Sequence, residues 1–425
     1  MTHLLMTTWD GSGTTPPLMS VARALVERGH SLRVLADPVL RPDAEATGAE
    51  HVSWTRAPHR LERSPRSHFV RDWGGLEPAE GFARMRDQLA VGPAAAFAAD
   101  VREELGRRPA AAVLTELLLF GPQVAAEAAQ VPCIVLNPTI NVVPAPGVPP
   151  FGAGLMPATN EAERRRDEEL AAIMMAGWDE ALPALNAARS EQGLETLEHV
   201  LDQGRGVARV LVLTSRAFDF IGPLPPTVKH VGPRLDDPVW AGEWTAPAGD
   251  DPLVLVGLSA DFQDQEDLLR RIVAAVGELP VRAVVTTGQG IDPASIEAPA
   301  NVQVVRAAPH SEVLRQAALA ITHCGHGVTI KALAAGVPLV CLPMGRDQLD
   351  VAARVVHAGA GLRLEPSAAP EEIAAAARSV LADGSYRRAA ERIAAAISEE
   401  TATDLAVAEI EAVLATAPRR EAVTA

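Results

Sequence analysis

Residues 323–327 read His323, Cys324, Gly325, His326, Gly327, between an apolar run at 319–322 and a helical pattern at 329–335. A strand that ends in a glycine-rich turn and opens a helix aims free backbone N–H groups and the positive end of the helix dipole at one spot. Such a spot binds an anion. Val328 or Thr329 marks the expected helix start. His323, Cys324 and His326 also carry metal-ligating side chains, but Gly325 and Gly327 favour a phosphate cradle, and no second ligand cluster completes a zinc set. Two carboxylates sit just past expected strand ends, where an open parallel sheet places functional groups. Asp10 lies in the loop Trp9, Asp10, Gly11, Ser12, Gly13, whose glycines allow close approach to a substrate. Glu116 follows the strand expected at 111–115. Either could accept a proton from a nucleophile. Each also has a plain structural use, Asp10 as a helix cap and Glu116 as the partner of an arginine.

These residues depend on a regular scaffold. Short apolar runs at 3–8, 31–36, 111–115, 133–136, 208–214 and 228–231 alternate with helical patterns such as 17–28, as expected of a buried parallel sheet. The rhythm restarts at 253–258 and continues through 283–287, 302–305, 319–322, 339–342 and 362–364, which predicts a second doubly wound α/β domain. Between them, residues 232–252 hold four prolines and the paired acids Asp236, Asp237 and Asp250, Asp251, a linker composition. The expected division is 1–231, a linker at 232–250, and 251–425 with a helical tail that crosses back. Only 4% of residues are aromatic. Trp54, Phe82, Met85 and Met156 nevertheless gather in two less regular segments, 54–97 and 144–178, and with Phe120 they are the expected apolar pocket. Ordinary core filling is the competing reading.

Composition excludes several classes. A chain of 425 residues exceeds a peptide module, and 48% apolar with 22% charged residues exclude a disordered or fibrous chain. Lys and Arg number 38 against 54 Asp and Glu, a net charge of −16 that repels nucleic acid in the absence of any basic block. Three widely spaced cysteines fit reduced thiols in the cytoplasm better than a disulfide framework. Neither a signal-peptide core nor a membrane span is evident.

The run 323–327, followed by Lys331, Ala332, Leu333, Ala334, Ala335, Gly336, Val337, Pro338, then Leu342, Pro343 and Arg346, Asp347, Gln348, resembles the C-terminal signature of the UDP-glycosyltransferase superfamily. More narrowly, it is similar to actinobacterial antibiotic glycosyltransferases of the GT-B fold. Residues 253–259 resemble the first strand and donor loop of that C-terminal domain. Pro16, Pro17, Arg23, Ala24, Leu25, Arg28, Gly29 and His30 resemble the first helix of the N-terminal domain.

The resemblance implies two Rossmann-like domains facing a cleft, and an inverting, metal-independent transfer from a nucleotide diphosphate sugar, a dTDP- or UDP-sugar, to a small, largely apolar natural product. It implies no other cofactor, no membrane insertion, and a monomer or homodimer. His323 and the N–H groups of Gly325, His326, Gly327 and Val328 would hold the diphosphate. Asp347 and Gln348 would bond sugar hydroxyls, Ser259 the phosphate or sugar, and Arg306 with Ala307 would line the base pocket. Three positions depart from the family. Ala307 stands where Trp or Phe often stacks on the base, and Val328 where Thr or Ser usually meets phosphate. Thr14 stands where a His is the usual general base, and a threonine cannot take a proton near neutral pH. Asp10, then Glu116, are the substitutes, and O-, C- and N-glycosylation all stay open. A sugar-nucleotide-binding auxiliary protein without catalysis is the alternative, followed by an epimerase acting on the sugar nucleotide.

Overall fold

In the computed structural model, which describes residues 2–416, the apolar runs form two sheets. The first contains β1 (His3–Thr7), β2 (Ser31–Ala36), β3 (Glu50–Ser53), β4 (Val113–Glu116), β5 (Cys133–Asn137), β6 (Arg209–Val212) and β7 (Val228–His230), in spatial order 3-2-1-4-5-6-7. The second contains β8 (Leu253–Gly257), β9 (Arg282–Thr286), β10 (Val302–Val305), β11 (Ala317–Thr322), β12 (Leu339–Cys341) and β13 (Gly361–Arg363), in order 10-9-8-11-12-13. All pairings among the described residues are parallel. Strands covered on both faces must be apolar throughout, and β4, β5 and β8 are buried at every position. The edge strand β3 has no apolar run to announce it, since its sequence is Glu, His, Val, Ser. Glu116 closes β4 rather than following it.

Strand order reverses between β1 and β4 and again between β8 and β11. A crevice opens at the carboxyl ends of the strands at such a point. Trp9, Asp10 and Glu116 lie there in the first sheet, and Ser259, Asp261 and His323 in the second. The helix Thr15–Glu27 leaves β1 with Pro16 and Pro17 in its first turn, where the missing N–H breaks no helical bond.

The tail forms three helices, Pro370–Ala382, Gly384–Glu400 and Leu405–Thr416. The last returns to the first sheet. Its Ala406, Val407, Ile410 and Val413 share a core with Leu4, Met6, Leu18 and Leu25, while Glu411 meets Arg28 at 2.8 Å and Glu409 meets Arg209 at 2.9 Å. In the connecting stretch, Asp236 pairs with Arg23 at 3.0 Å and Asp237 with Lys331 at 2.7 Å, so that neighbouring acids are tied to opposite halves. Among the described residues no helix is long and apolar enough to cross a membrane.

Candidate active site

The glycine-rich turn joins β11 to the helix His326–Ala334, which starts earlier than the sequence pattern indicated. The reason is local. Cys324 takes φ +63°, which reverses the chain at once, and Gly325 becomes the cap with no side chain bonded to the helix end. The first N–H groups of the helix, those of His326, Gly327 and Val328, therefore have no intrahelical partner. A Cβ on Gly325 would stand 2.5 Å from Nε2 of His323, so glycine alone lets that imidazole lie against the helix start. Burial pushes the His323 pKa down to about 3 despite the Gly257 carbonyl beside it, so the ring is neutral.

His326 turns away from the turn. Its Nε2 meets the Thr214 hydroxyl of the first half at 2.8 Å, and burial lowers its pKa to about 4. The Cys324 thiol lies beside Cys341, and burial raises its pKa. The three side chains thus have different neighbours, and among the described residues no group of three or more His, Cys, Asp and Glu is placed to hold a metal ion.

Across the crevice stands the short 3-10 turn Ser12–Thr14 of the first half. A Cβ on Gly327 would lie 3.6 Å from the Gly13 carbonyl, so the turn faces the helix end. The Thr14 hydroxyl is buried with no hydrogen-bond partner.

Asp347 accepts a hydrogen bond from the Thr139 hydroxyl at 2.6 Å, and burial raises its pKa. Gln348 holds its own turn, its Oε1 accepting from the N–H groups of Met344 (2.8 Å) and Gly345 (3.2 Å). Ser259 is buried near the start of the loop after β8, its carbonyl accepting from Gln265 Nε2 at 3.0 Å. Arg306 is half exposed and faces Asp292 at 3.6 Å, next to Ala307.

The two carboxylates have different surroundings. Asp10 is fully buried, its Oδ2 3.4 Å from Arg63 and 3.5 Å from Arg60, and its Oδ1 takes the Ser12 N–H at 3.4 Å. Burial raises its pKa against the pull of both arginines. It is an ion-pair hub rather than a mobile loop group. Glu116 accepts the Leu118 N–H at 3.1 Å, with the Trp9 indole beside it outside hydrogen-bond geometry. Among the described residues no arginine pairs with it, and burial pushes its pKa up to about 8.

Of the expected pocket residues, Phe82 and Phe120 converge on Trp178, with ring centroids 4.9 and 5.8 Å away, and Met85 packs on the same core. Trp54 lies in the same apolar core. It is buried beneath β1, stacked edge-on against Phe97 at 4.8 Å, with its indole N–H donating to the Thr8 carbonyl at 3.0 Å. This is core filling, because a buried indole needs both an apolar body around it and an acceptor for its N–H. Met156 stands apart on an exposed loop.

Residues 270–413 match the family described as erythromycin biosynthesis protein CIII-like, C-terminal domain. The chain is similar to 4'-demethylrebeccamycin synthase of Lentzea aerocolonigenes, at 29% identity over 92% of this chain and 94% of that one. It is also similar to the oleandomycin glycosyltransferase of Streptomyces antibioticus, at 28% identity over 97% and 91%. Its fold matches that of CalG4, the calicheamicin glycosyltransferase, with a TM-score of 0.77 at 24% identity over 98% of this chain and 100% of that one. The chain thus has the GT-B fold and is similar to named antibiotic glycosyltransferases.

In this chain the sequence signals did not disclose how residues 60–72 reach the second half. Arg60 Nη1 lies 3.1 Å from Asp261 Oδ1, His68 Nε2 lies 2.8 Å from Asp261 Oδ2, and Arg346 grips Asp72 with two bonds of 2.6 and 2.7 Å. The partners are separated by 193 to 274 positions, and no spacing rule links them.

Proposed function

We propose that this glycosyltransferase moves a sugar from a dTDP- or UDP-sugar to a small, largely apolar natural product, with inversion and without a metal ion. In this reading residues 1–231 bind the acceptor, 232–250 link the halves, and 251–425 bind the donor. The observation that carries it is the turn between β11 and the helix His326–Ala334, whose first N–H groups, free of intrahelical bonds, and neutral His323 face the turn Ser12–Thr14 across the crevice. A diphosphate seated there gains charge as it leaves, and helix N–H groups and dipole stabilise that charge without reorganising. The curated relatives' names speak of rebeccamycin and oleandomycin, which supports a natural-product acceptor.

Phe82, Met85 and Phe120, with Trp178, would form the acceptor wall. Glu116, rather than Asp10, would take the acceptor's proton. What supports this choice is that Asp10 is held by two arginines while the Glu116 carboxylate carries one backbone bond and a pKa matched to neutral pH. The acceptor atom would attack the anomeric carbon, the bond to the diphosphate would break with its electron pair leaving on the diphosphate oxygen, and the acceptor's proton would pass to Glu116. The test is transfer from dTDP- and UDP-sugars to a panel of polycyclic phenols, amines and alcohols, in EDTA, read by mass spectrometry. A new glycoside with release of nucleoside diphosphate is expected. A strict requirement for added divalent ion would refute the metal-free reading.

A further inference from the structure

The loop after β8 and the residue preceding Asp347 are both bonded to the acceptor half. Asp261 lies two positions beyond Ser259 and collects Arg60 at 3.1 Å, His68 at 2.8 Å and Arg346 at 3.3 Å. Arg346 sits immediately before Asp347 and Gln348 and adds the two-pronged grip on Asp72. Ring contacts run beside the charges. His68 stands edge-on to Trp73 at 4.8 Å, and Trp73 to Phe262 at 5.4 Å.

We propose that Asp72, Arg346 and Asp261 form a positioning relay by which the acceptor half completes the sugar pocket, so that donor sugar and acceptor bind with positive coupling and water is kept from the sugar. The inference rests on the donor site proposed above, and it adds what that site lacks, a link to the other substrate. The Asp72 and Asp261 side chains are 6% and 3% exposed, so each charge depends on its partner rather than on solvent. Burial alone would raise both pKa values, yet Arg346 beside Asp72, and His68 with Arg346 beside Asp261, hold them below the ordinary carboxylate range. Arg346 also keeps φ +57°, a conformation that an arginine retains only where its surroundings fix it. Opening the crevice would have to break the charge contacts and the ring contacts together. Segment 60–72 and the sugar-side turn are therefore held together as one unit, and a ligand that favours this arrangement favours the other ligand too. Closing the segment over the donor also shields the anomeric carbon from water.

The test uses the full chain and titrates UDP, dTDP, UDP-glucose and dTDP-glucose into wild type, Asp72→Asn, and the charge swap Asp72→Arg with Arg346→Asp. Glucose released from each bound nucleotide sugar without acceptor is the second readout. Asp72→Asn is expected to bind the nucleoside diphosphates within about twofold of wild type, to weaken the nucleotide sugars by about 5-fold or more, and to release more glucose per bound donor. The swap is expected to restore part of the sugar affinity, which a variant that had merely lost stability would not do. Equal losses for diphosphate and nucleotide sugar, or unchanged binding and hydrolysis, would overturn the relay. Failure of wild type to bind any of the four ligands would overturn the donor reading beneath it.

Discussion

Replacing Glu116 by glutamine isolates the protonation state on which the proposed chemistry depends. Burial raises the carboxyl pKa from 4.5 to about 8 in the folded chain. Between those values the folded state keeps a proton that the unfolded state releases, so stability is fully present below pH 4.5 and is lost as pH rises to 8. At 1.36 kcal/mol per pH unit, the loss amounts to roughly 3 kcal/mol at pH 7 and about 5 kcal/mol above pH 8. Glutamine stays neutral at every pH and fits the same space. The variant is therefore expected to gain on wild type by that amount as pH rises, measured by urea unfolding followed through tryptophan fluorescence at pH 5, 7 and 8.5. Comparing the two proteins cancels the other raised carboxyls, among them Asp10, Asp347, Asp37 at about 7 and Asp350 at about 6. In the same proteins, wild-type kcat/KM should climb with pH towards 8, while the variant should be flat and ~10²–10⁴-fold lower, the scale of general-base loss. A stability difference that does not change with pH would mean that Glu116 is ionised when folded, and the reasoning from burial would be refuted.

Asp10→Asn should act chiefly on stability: burial raises the Asp10 pKa despite both arginines, so the neutral variant should gain on wild type as pH rises through that raised value, while Arg60 keeps Asp261 and Arg63 keeps Asp43. Turnover reduced as far as in Glu116→Gln, with the melting temperature unchanged, would return the base role to Asp10. Asp347→Ala should weaken a nucleotide sugar more than the free nucleoside diphosphate in parallel titrations, and equal losses would indicate a structural role. Ile410→Ala, in the helix that returns to the first sheet, should destabilise the first half by about 2–5 kcal/mol in the same urea assay. No change would mean that this packing contributes nothing in solution.

The two sheets were legible because strands buried on both faces must be continuous apolar runs, and those at 133–136 and 253–258 announce themselves as such. β3 was not, because an edge strand needs no such run. The donor turn was legible through Gly325 and Gly327, since few local structures require glycines between a strand and a helix. Its helix start was misplaced by the tight reversal at Cys324. Asp10 was found as a residue past a strand end, but its burial between Arg60 and Arg63 was hidden, because arginines some 50 positions away look like surface charge. Trp54 was assigned to the pocket for the same reason. A large aromatic side chain in an irregular segment is consistent with either wall or core, and the choice was made by its distance from Phe97 and the Thr8 carbonyl.

The most direct measurement of the account is calorimetric titration of UDP and dTDP, in EDTA, into wild type and His323→Ala. Wild type should bind at least one of the two without divalent ion. The variant should lose about 1.5–3 kcal/mol, or roughly 10–150-fold, the worth of a hydrogen bond to a charged phosphate. Equal affinity in the two proteins, or binding only when a divalent ion is restored, would contradict the placement of the diphosphate at the start of the helix His326–Ala334.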